Sequence, residues 1–530
     1  MATDPTSTPQ RAYRAACPNC GAPVEFLSSA SAFAVCSFCR STIVRDGEAL
    51  RKTGESAELF DDHSPLQLGA SGSVQGAAFT LVGRLQYRYK DGTWNEWHAL
   101  FDSGRSGWLA EDNGRYVLAF DAPLNEAAPP AEKLRPGQSL TLAGQGWSVA
   151  SVAAAKLIAA QGELPFAPNL QRGFIVVDLR NPRGEVGTLD YQNPQSPHWS
   201  VGRSVALSEL ALRGLKEGNE KTLQARSVEC PSCGTALSVK LSTTQSIVCH
   251  QCHAVVDLSG NNKTGVGGDL AHYAQENGSE PQIPLGSIGR LKLSLDKNAS
   301  VLPWQVVGYA ERCEVDTGED EQTFWREYLL YNRDTGFAFL VDSEDGWSWA
   351  TPITGAPQKF GESVKLDGVL YKKLYDYTGQ TTYVLGEFYW QLKRDERTVN
   401  SDYIGSGDAK GRRLNREQTG DEITWSLGST LTADEVVLAF KLAADKRASL
   451  QRDALPTSLG GSSLVQQIIL WGVVIFVLLL LWRCDRRDDC EQVRATYGET
   501  SSEYRSCRTS NSYRSSGGSW GGYSSGGGHK

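Results

Sequence analysis

The sequence predicts a mainly β protein of two tandem units, each a zinc ribbon followed by a small antiparallel β barrel or sandwich, then one transmembrane helix and a disordered tail. Three observations carry this. Cys17-Pro-Asn-Cys20 with Cys36-Ser-Phe-Cys39 recurs at one spacing as Cys230-Pro-Ser-Cys233 with Cys249-His-Gln-Cys252. The chain after each quartet alternates apolar and polar residues with a period of two. Residues 464–482 form one long apolar run. At 530 residues the chain exceeds a single core, so several domains are expected.

Each Cys-x-x-Cys can sit on a tight knuckle turn, and two knuckles present four thiolates tetrahedrally, the shell Zn²⁺ prefers. Gly21 and Gly234 follow the first knuckle of each copy and permit a left-handed turn. The expected ligands are Cys17, Cys20, Cys36 and Cys39 for one ion, and Cys230, Cys233, Cys249 and Cys252 for a second. A closed four-thiolate shell leaves no position for substrate, so both sites read as structural. His250 and His253 flank the last knuckle where the first copy has Ser37 and Arg40, and they read as surface side chains. Thiolates that must stay reduced point to the cytosol.

In chain order, 13–45 is the first ribbon, 45–63 a polar linker, and 64–217 the first β-rich domain. Its strand signals are 79–89, the turn Asp91-Gly92, and short runs around Trp94, Trp97, Trp108 and Tyr116. A Pro-rich break at 127–136 precedes strands at 139–143, 148–153 and 174–179, and 206–217 reads as an amphipathic helix. The second ribbon spans 226–258, a Gly/Asn-rich linker follows, and 283–452 is the second β-rich domain. Its strands are expected at 304–309, 327–331, 337–341, 363–370 and 382–392, and Thr432-Ala-Asp-Glu435 has the capping-box spacing of a helix reaching about residue 450. Duplication explains this order. Asp190-Tyr191 and Trp199-Ser-Val-Gly202 match Asp402-Tyr403 and Trp425-Ser-Leu-Gly428, and 136–140 matches 360–364.

Residues 464–482 span about 28 Å as a helix, close to the hydrocarbon core of a bilayer. The tail, 483–530, is rich in Gly and Ser and cannot build a core. Arg483, Arg486, Arg487 and Arg494 after the span favour a cytosolic tail. The ribbon thiolates and the polar first ten residues, which offer no leader, favour a cytosolic amino-terminal part instead, and this is the orientation expected: a single-pass inner-membrane protein with its large amino-terminal region cytoplasmic.

Net charge is −8, from 53 basic and 61 acidic residues, and between the knuckles Lys240 is the one basic side chain. Nucleic acid is therefore not an expected partner. Glu111, Asp112, Asp342, Glu344 and Asp345 follow strand-like runs where a glycosidase could place its carboxylates, although acidic loop tips are the plainer reading. Trp94, Trp97 and Trp108 could line a ligand groove. No nucleophile elbow, zincin helix or phosphate loop occurs. Cys484, Cys490 and Cys507 form no ligand spacing.

The leading ribbon, Trp94-Asn-Glu-Trp97, Ser106-Gly-Trp-Leu-Ala-Glu111, Thr382-Tyr-Val-Leu-Gly-Glu-Phe-Tyr-Trp390 and Trp425-Ser-Leu-Gly428 together resemble the bacterial family catalogued as domain of unknown function 4178. The resemblance covers two copies, about 64–212 and 283–440. It implies no assigned activity and no catalytic residues. Members often stand beside genes for polyamine synthesis and small membrane proteins, which implies a setting in envelope maintenance. The expectation is a membrane-anchored, non-enzymatic scaffold or sensor with structural zinc, working with the lipid bilayer and protein partners. The alternative is an enzyme or small-molecule-binding protein using a groove in one β-rich domain.

Overall fold

The computed structural model describes residues 13–451 apart from 27–31, 47–48, 56–63, 91, 113–114, 171, 217–225, 242–243, 259–270, 276–277, 316–321, 333–334, 394 and 444–445, together with 494–496, 498 and 500–502. The chain divides into two units, 1–451 with 519–530, and 452–518. Both β-rich domains belong to the first. The expected span at 464–482 and Cys484, Cys490 and Cys507 lie outside the described residues. Among the described residues no helix is long and apolar enough to cross a membrane.

The first β-rich domain contains β1 (Ala77–Tyr89), β2 (Gly92–Phe101), β3 (Ser106–Asp112), β4 (Arg115–Asp121), β5 (Gln145–Leu164), β6 (Gly173–Arg180), β7 (Glu185–Asp190) and β8 (His198–Val205). All pairings are antiparallel, and the circuit β1-β2-β3-β4-β8-β7-β6-β5 returns to β1. Of the barrel and sandwich the sequence allowed, this is the barrel, a closure that leaves no open edge among these strands. Its 20-residue β5 pairs in turn with the hairpin strand Ser139–Leu142, with β6, with β1 and with the ribbon strand Phe33–Val35.

The second barrel repeats the circuit with β9 (Leu302–Val315), β10 (Phe324–Asn332), β11 (Gly336–Ser343), β12 (Gly346–Ile353), β13 (Val369–Phe388), β14 (Arg397–Gly405), β15 (Arg412–Thr419) and β16 (Glu422–Leu431). Register makes the copies comparable residue by residue. Gly162 crosses Gly83 as Gly386 crosses Gly308. Both are left-handed, with φ +71° and +89°, and a Cβ would sit 2.2 Å from the Val82 carbonyl oxygen or 2.3 Å from that of Val307. Only glycine fits such a crossing.

The match of Trp199 and Gly202 to Trp425 and Gly428 holds, since Gly202 faces Ala119 and Gly428 faces Ala350. So does that of 136–140 to 360–364, each leading into a hairpin onto the long strand. The match of Asp190-Tyr191 to Asp402-Tyr403 does not. Asp402 lies opposite Asn415 as Asp178 lies opposite Thr188, so Asp178 is its counterpart, and Asp190 corresponds to Glu417.

Other expectations are also corrected. Residues 206–217 do not form an α-helix in their described part. Leu207–Leu210 is a 3-10 turn that packs Leu210 on the outer wall beside Phe79, and the Arg213 amide then bonds the Ser71 carbonyl oxygen at 2.7 Å, committing the backbone to strand-like pairing. The Thr432 capping box forms, with the Glu435 amide donating to Thr432 Oγ1 at 3.2 Å. Its helix stops at Phe440, because left-handed Lys441 (φ 53°) lets the Leu442 amide bond the Val437 carbonyl oxygen, and a second helix covers Lys446–Leu450. The strand expected at 363–370 is a hairpin turning at Asp367-Gly368.

Candidate metal centres and barrel interiors

All four knuckles fold alike. The amide of the first cysteine donates to the carbonyl oxygen five residues on, and the amide four residues on donates back to its own carbonyl oxygen, at 2.7–3.0 Å throughout. That fourth residue is left-handed in every case: Gly21, Arg40, Gly234 and His253. His253 is thus a turn residue, its ring 3.4 Å from the Tyr383 hydroxyl, and neither it nor His250 joins the sulfur cluster.

The four sulfurs of Cys17, Cys20, Cys36 and Cys39 lie within 4.8 Å of one another, as do those of Cys230, Cys233, Cys249 and Cys252. The closest separations are 3.6 and 3.7 Å in each group. Four thiolates about 2.3 Å from one tetrahedral ion stand about 3.8 Å apart, whereas a disulfide brings sulfurs to about 2.05 Å. Each group can therefore hold a metal ion. The Ser41 hydroxyl, 3.2 Å from the Cys39 sulfur, pulls that thiol down to about 5, and the Thr235 hydroxyl brings Cys233 down to about 6. In the same clusters Cys20 and Cys230 are pushed up to about 12, so one thiol of each group ionises well ahead of another.

Each ribbon is sewn into its own barrel. Phe33–Val35 pairs with the end of β5, and Ser246–Val248 with the end of β13. In the second copy the buried Glu387 carboxylate also accepts the amides of Lys240 and Leu241 at 3.0 and 2.9 Å and the Thr244 hydroxyl at 2.7 Å. One carboxylate thus ties the loop between the knuckles to the barrel wall.

The barrel interiors differ. In the first, Trp94 and Trp108 meet Phe174 and Val176 of the facing wall beside Ala110, Val117, Ala119 and Val186, with His98 stacked on Trp108, Glu96 accepting from the Trp94 indole at 3.1 Å and Asp178 accepting from the Thr188 hydroxyl at 3.0 Å. The second shares the acids, as Glu327 and Asp402, and is polar at further positions of the equivalent register. Arg312 replaces Tyr87, Ser348 replaces Val117, Asn400 replaces Val176, Arg413 replaces Val186 and Asn415 replaces Thr188. Buried Arg312 lies 3.4 Å from Glu327 and 3.3 Å from Glu417 and donates to Thr398 Oγ1 at 2.5 Å. Burial pushes the Glu327 carboxyl up to about 7 and Glu417 to about 8, against the pull of Arg312. Asn415 donates to Asp402 at 2.6 Å, and Arg413 reaches Asp345 at 3.9 Å. Among the described residues, Ser348 Oγ, Asn400 Oδ1, Arg413 Nε, Asn415 Oδ1 and Ser426 Oγ are buried without a hydrogen-bond partner, and all five atoms belong to this interior.

The acidic runs are split between faces. Glu111 accepts from Ser64, Trp97 and Tyr116 beneath the outer wall, and its counterpart Asp342 meets Arg326 at 3.4 Å. Asp112 faces the other way, into a cleft between the barrels. The carboxylate pair a glycosidase would need is therefore not assembled from Glu111 and Asp112. Nor do the three tryptophans form a groove. Trp94 and Trp108 point inward and Trp97 outward, all buried.

Two closed barrels, each docked to a four-cysteine cage that could hold a metal ion, define a tandem β-barrel protein. A family profile described as a domain of unknown function (DUF4178) matches residues 67–207 and 300–433, just over half of the chain, and the chain belongs to that family. No curated protein matches the chain. A crystal structure of a protein of unknown function from the DUF3598 family of Nostoc punctiforme is similar at 8% identity, over 69% of this chain and 96% of that one, with a TM-score of 0.11. A likeness at that score carries no argument about fold.

Proposed function

We propose that this protein is a membrane-anchored, non-enzymatic scaffold or sensor in bacterial envelope maintenance. One structural Zn²⁺ sits in each four-cysteine cage, residues 464–482 form the anchor, and the large amino-terminal region faces the cytoplasm. The observation that supports it best is the Glu387 clasp, through which the loop inside the second ribbon hangs on the barrel wall. Metal loading and barrel shape are then coupled, which suits a structural or sensing ion, and a closed thiolate shell offers no place for substrate. The chain purified under reducing conditions should carry about two zinc equivalents, and Cys36→Ser with Cys39→Ser should lose one. Crosslinking from membranes should recover protein partners that this double variant loses. Far less zinc, or no reproducible partner, overturns the proposal.

A second reading has its own support. The unpartnered polar atoms of Ser348, Asn400, Arg413, Asn415 and Ser426 in the second barrel favour a small hydrogen-bonding molecule held there. Native mass spectrometry of the intact chain should then find an added mass that Asn400→Leu with Asn415→Leu abolishes. Identical masses for parent and variant, corrected for the substitutions, remove this reading.

A further inference from the structure

In the first barrel His98 on β2 and Ser106 on β3 stand on neighbouring strands, and His98 Nε2 lies 2.9 Å from Ser106 Oγ. The other ring nitrogen, Nδ1, lies 3.0 Å from the Glu163 carbonyl oxygen at the end of β5. A carbonyl oxygen only accepts, so Nδ1 carries the proton. Burial holds His98 below the ordinary imidazole range, against the pull of that carbonyl and of the Asp121 charge. The ring is therefore neutral at ordinary pH, Nε2 is an acceptor, and the Ser106 hydroxyl donates to it. A hydroxyl facing an imidazole whose second nitrogen is fixed by an acceptor is the arrangement that makes serine a nucleophile.

The fold itself does not require this pair. Gly308 lies opposite Leu329 as Gly83 lies opposite His98, and Leu329 lies opposite Phe339 as His98 lies opposite Trp108. Leu329 thus takes the place of His98 in the second barrel, and Phe337 takes that of Ser106. There Phe337 packs on Tyr389, ring centroids 4.3 Å apart, and Phe339 meets Trp390 at 6.1 Å, with Trp390 only 4% exposed. In the first barrel Ser106 and Pro165 stand where Phe337 and Tyr389 would be, so two aromatic rings are absent. Phe166, the counterpart of Trp390, lies 5.8 Å from the Trp108 ring and is left 38% exposed. Half-buried Ser106, which follows the exposed turn 102–105, is thereby set beside an uncovered aromatic surface.

We propose that Ser106 is a covalent acylation site: it accepts an apolar acyl group from an activated ester or thioester, with His98 as its base and Trp108 and Phe166 holding the acyl group. Ser106 Oγ attacks the carbonyl carbon while its proton passes to His98 Nε2. The carbon–oxygen or carbon–sulfur bond of the donor then breaks, the departing alkoxide or thiolate takes the proton from His98, and Ser106 keeps the acyl group as an ester. The imidazolium formed between these steps is favoured by the Glu163 carbonyl on Nδ1 and by the Asp121 charge. An acyl group the size of a phenyl ring suits the place, because the sister barrel fills its equivalent with Phe337. The step modifies the chain and involves neither the zinc cages nor the span, so it goes beyond the scaffold reading and stands or falls apart from it.

The test treats the zinc-loaded full chain in detergent with p-nitrophenyl benzoate. One equivalent of p-nitrophenolate should be released per chain, and peptide mapping should find one benzoyl group, on Ser106. Ser106→Ala should abolish the label, and His98→Gln should slow it about 100-fold or more. His98→Leu with Ser106→Phe installs the sister barrel's pair and should abolish the label with melting retained. Unchanged zinc content and melting of the unlabelled chain identify folded variants. If His98→Gln misfolds, the parent decides by rate, since Ser106 must acylate at least about 100-fold faster than the chain's other serines. Absence of label on Ser106, one equivalent still taken up by folded Ser106→Ala, or folded His98→Gln labelled at the parent rate would each overturn the proposal.

Discussion

The two barrels share a circuit and a register, yet Trp94 faces Tyr87 in one and Trp325 faces Arg312 in the other. The first packs stacked aromatics and small aliphatics, with Tyr87 and Trp94 rings 4.9 Å apart, around the buried acids Glu96 and Asp178, and holds no arginine at the place of Arg312. The second carries an ion triad and buried amides in the same space. Closure depends on backbone pairing and on the glycine crossings, so the fold tolerates either filling. What the filling changes is the cost of burial. An apolar contact such as Tyr87 on Trp94 gains from burial, while the Arg312 triad must compensate its own desolvation.

Breaking that compensation should have the largest effect. Arg312→Met leaves two carboxylates buried together and should cost about 3–5 kcal/mol in denaturant unfolding, whereas Tyr87→Phe at the equivalent place should cost under about 1 kcal/mol. Equal losses would mean that the two interiors are energetically alike. Glu387→Gln comes next, at about 1.5–3 kcal/mol, because two amides and a hydroxyl lose a charged acceptor. Hydrogen exchange should then quicken in the second ribbon and not the first.

The pH response separates the barrels more finely. Glu327 and Glu417 are raised to about 7 and about 8 by burial, so the folded state holds protons that the unfolded chain releases near 4.5. Their cost is absent below about pH 4.5 and complete above about pH 8, so the second barrel loses stability as pH rises through this window. Glu327→Gln with Glu417→Gln should flatten the slope in melts followed from pH 5 to 8. A slope unchanged by both substitutions would mean the carboxyls titrate normally. The smallest effect belongs to Ser426→Ala, which removes a hydroxyl without a partner and should shift stability by less than about 1 kcal/mol. A larger loss would show that the hydroxyl is engaged by a bound molecule.

Much of the metal site was legible, because a knuckle is a local object: Cys-x-x-Cys spacing and a following glycine specify turn and ligand direction within a few residues. Strands such as 79–89 were visible for the same reason, their alternation being short-range. The strand Arg412–Thr419 was not, since Arg413, Asn415 and Glu417 face a polar interior and supply no apolar stripe. Nor was the separation of Glu111 from Asp112. Neighbours on a strand point to opposite faces, but a barrel covered on its outer wall buries both, so burial alone does not reveal which face is inside.

The chain's own residue order determined the two sulfur quartets and the presence of short antiparallel strands, which are written in spacings of fewer than about thirty residues, and the duplication, which is those local motifs recurring in the same order. Tertiary structure alone decided that the strands close into barrels, that Asp178 rather than Asp190 corresponds to Asp402, that one interior is the more polar, and that the Glu163 carbonyl orients His98. Those facts depend on which distant strands become neighbours, and register, not local sequence, sets what each side chain meets.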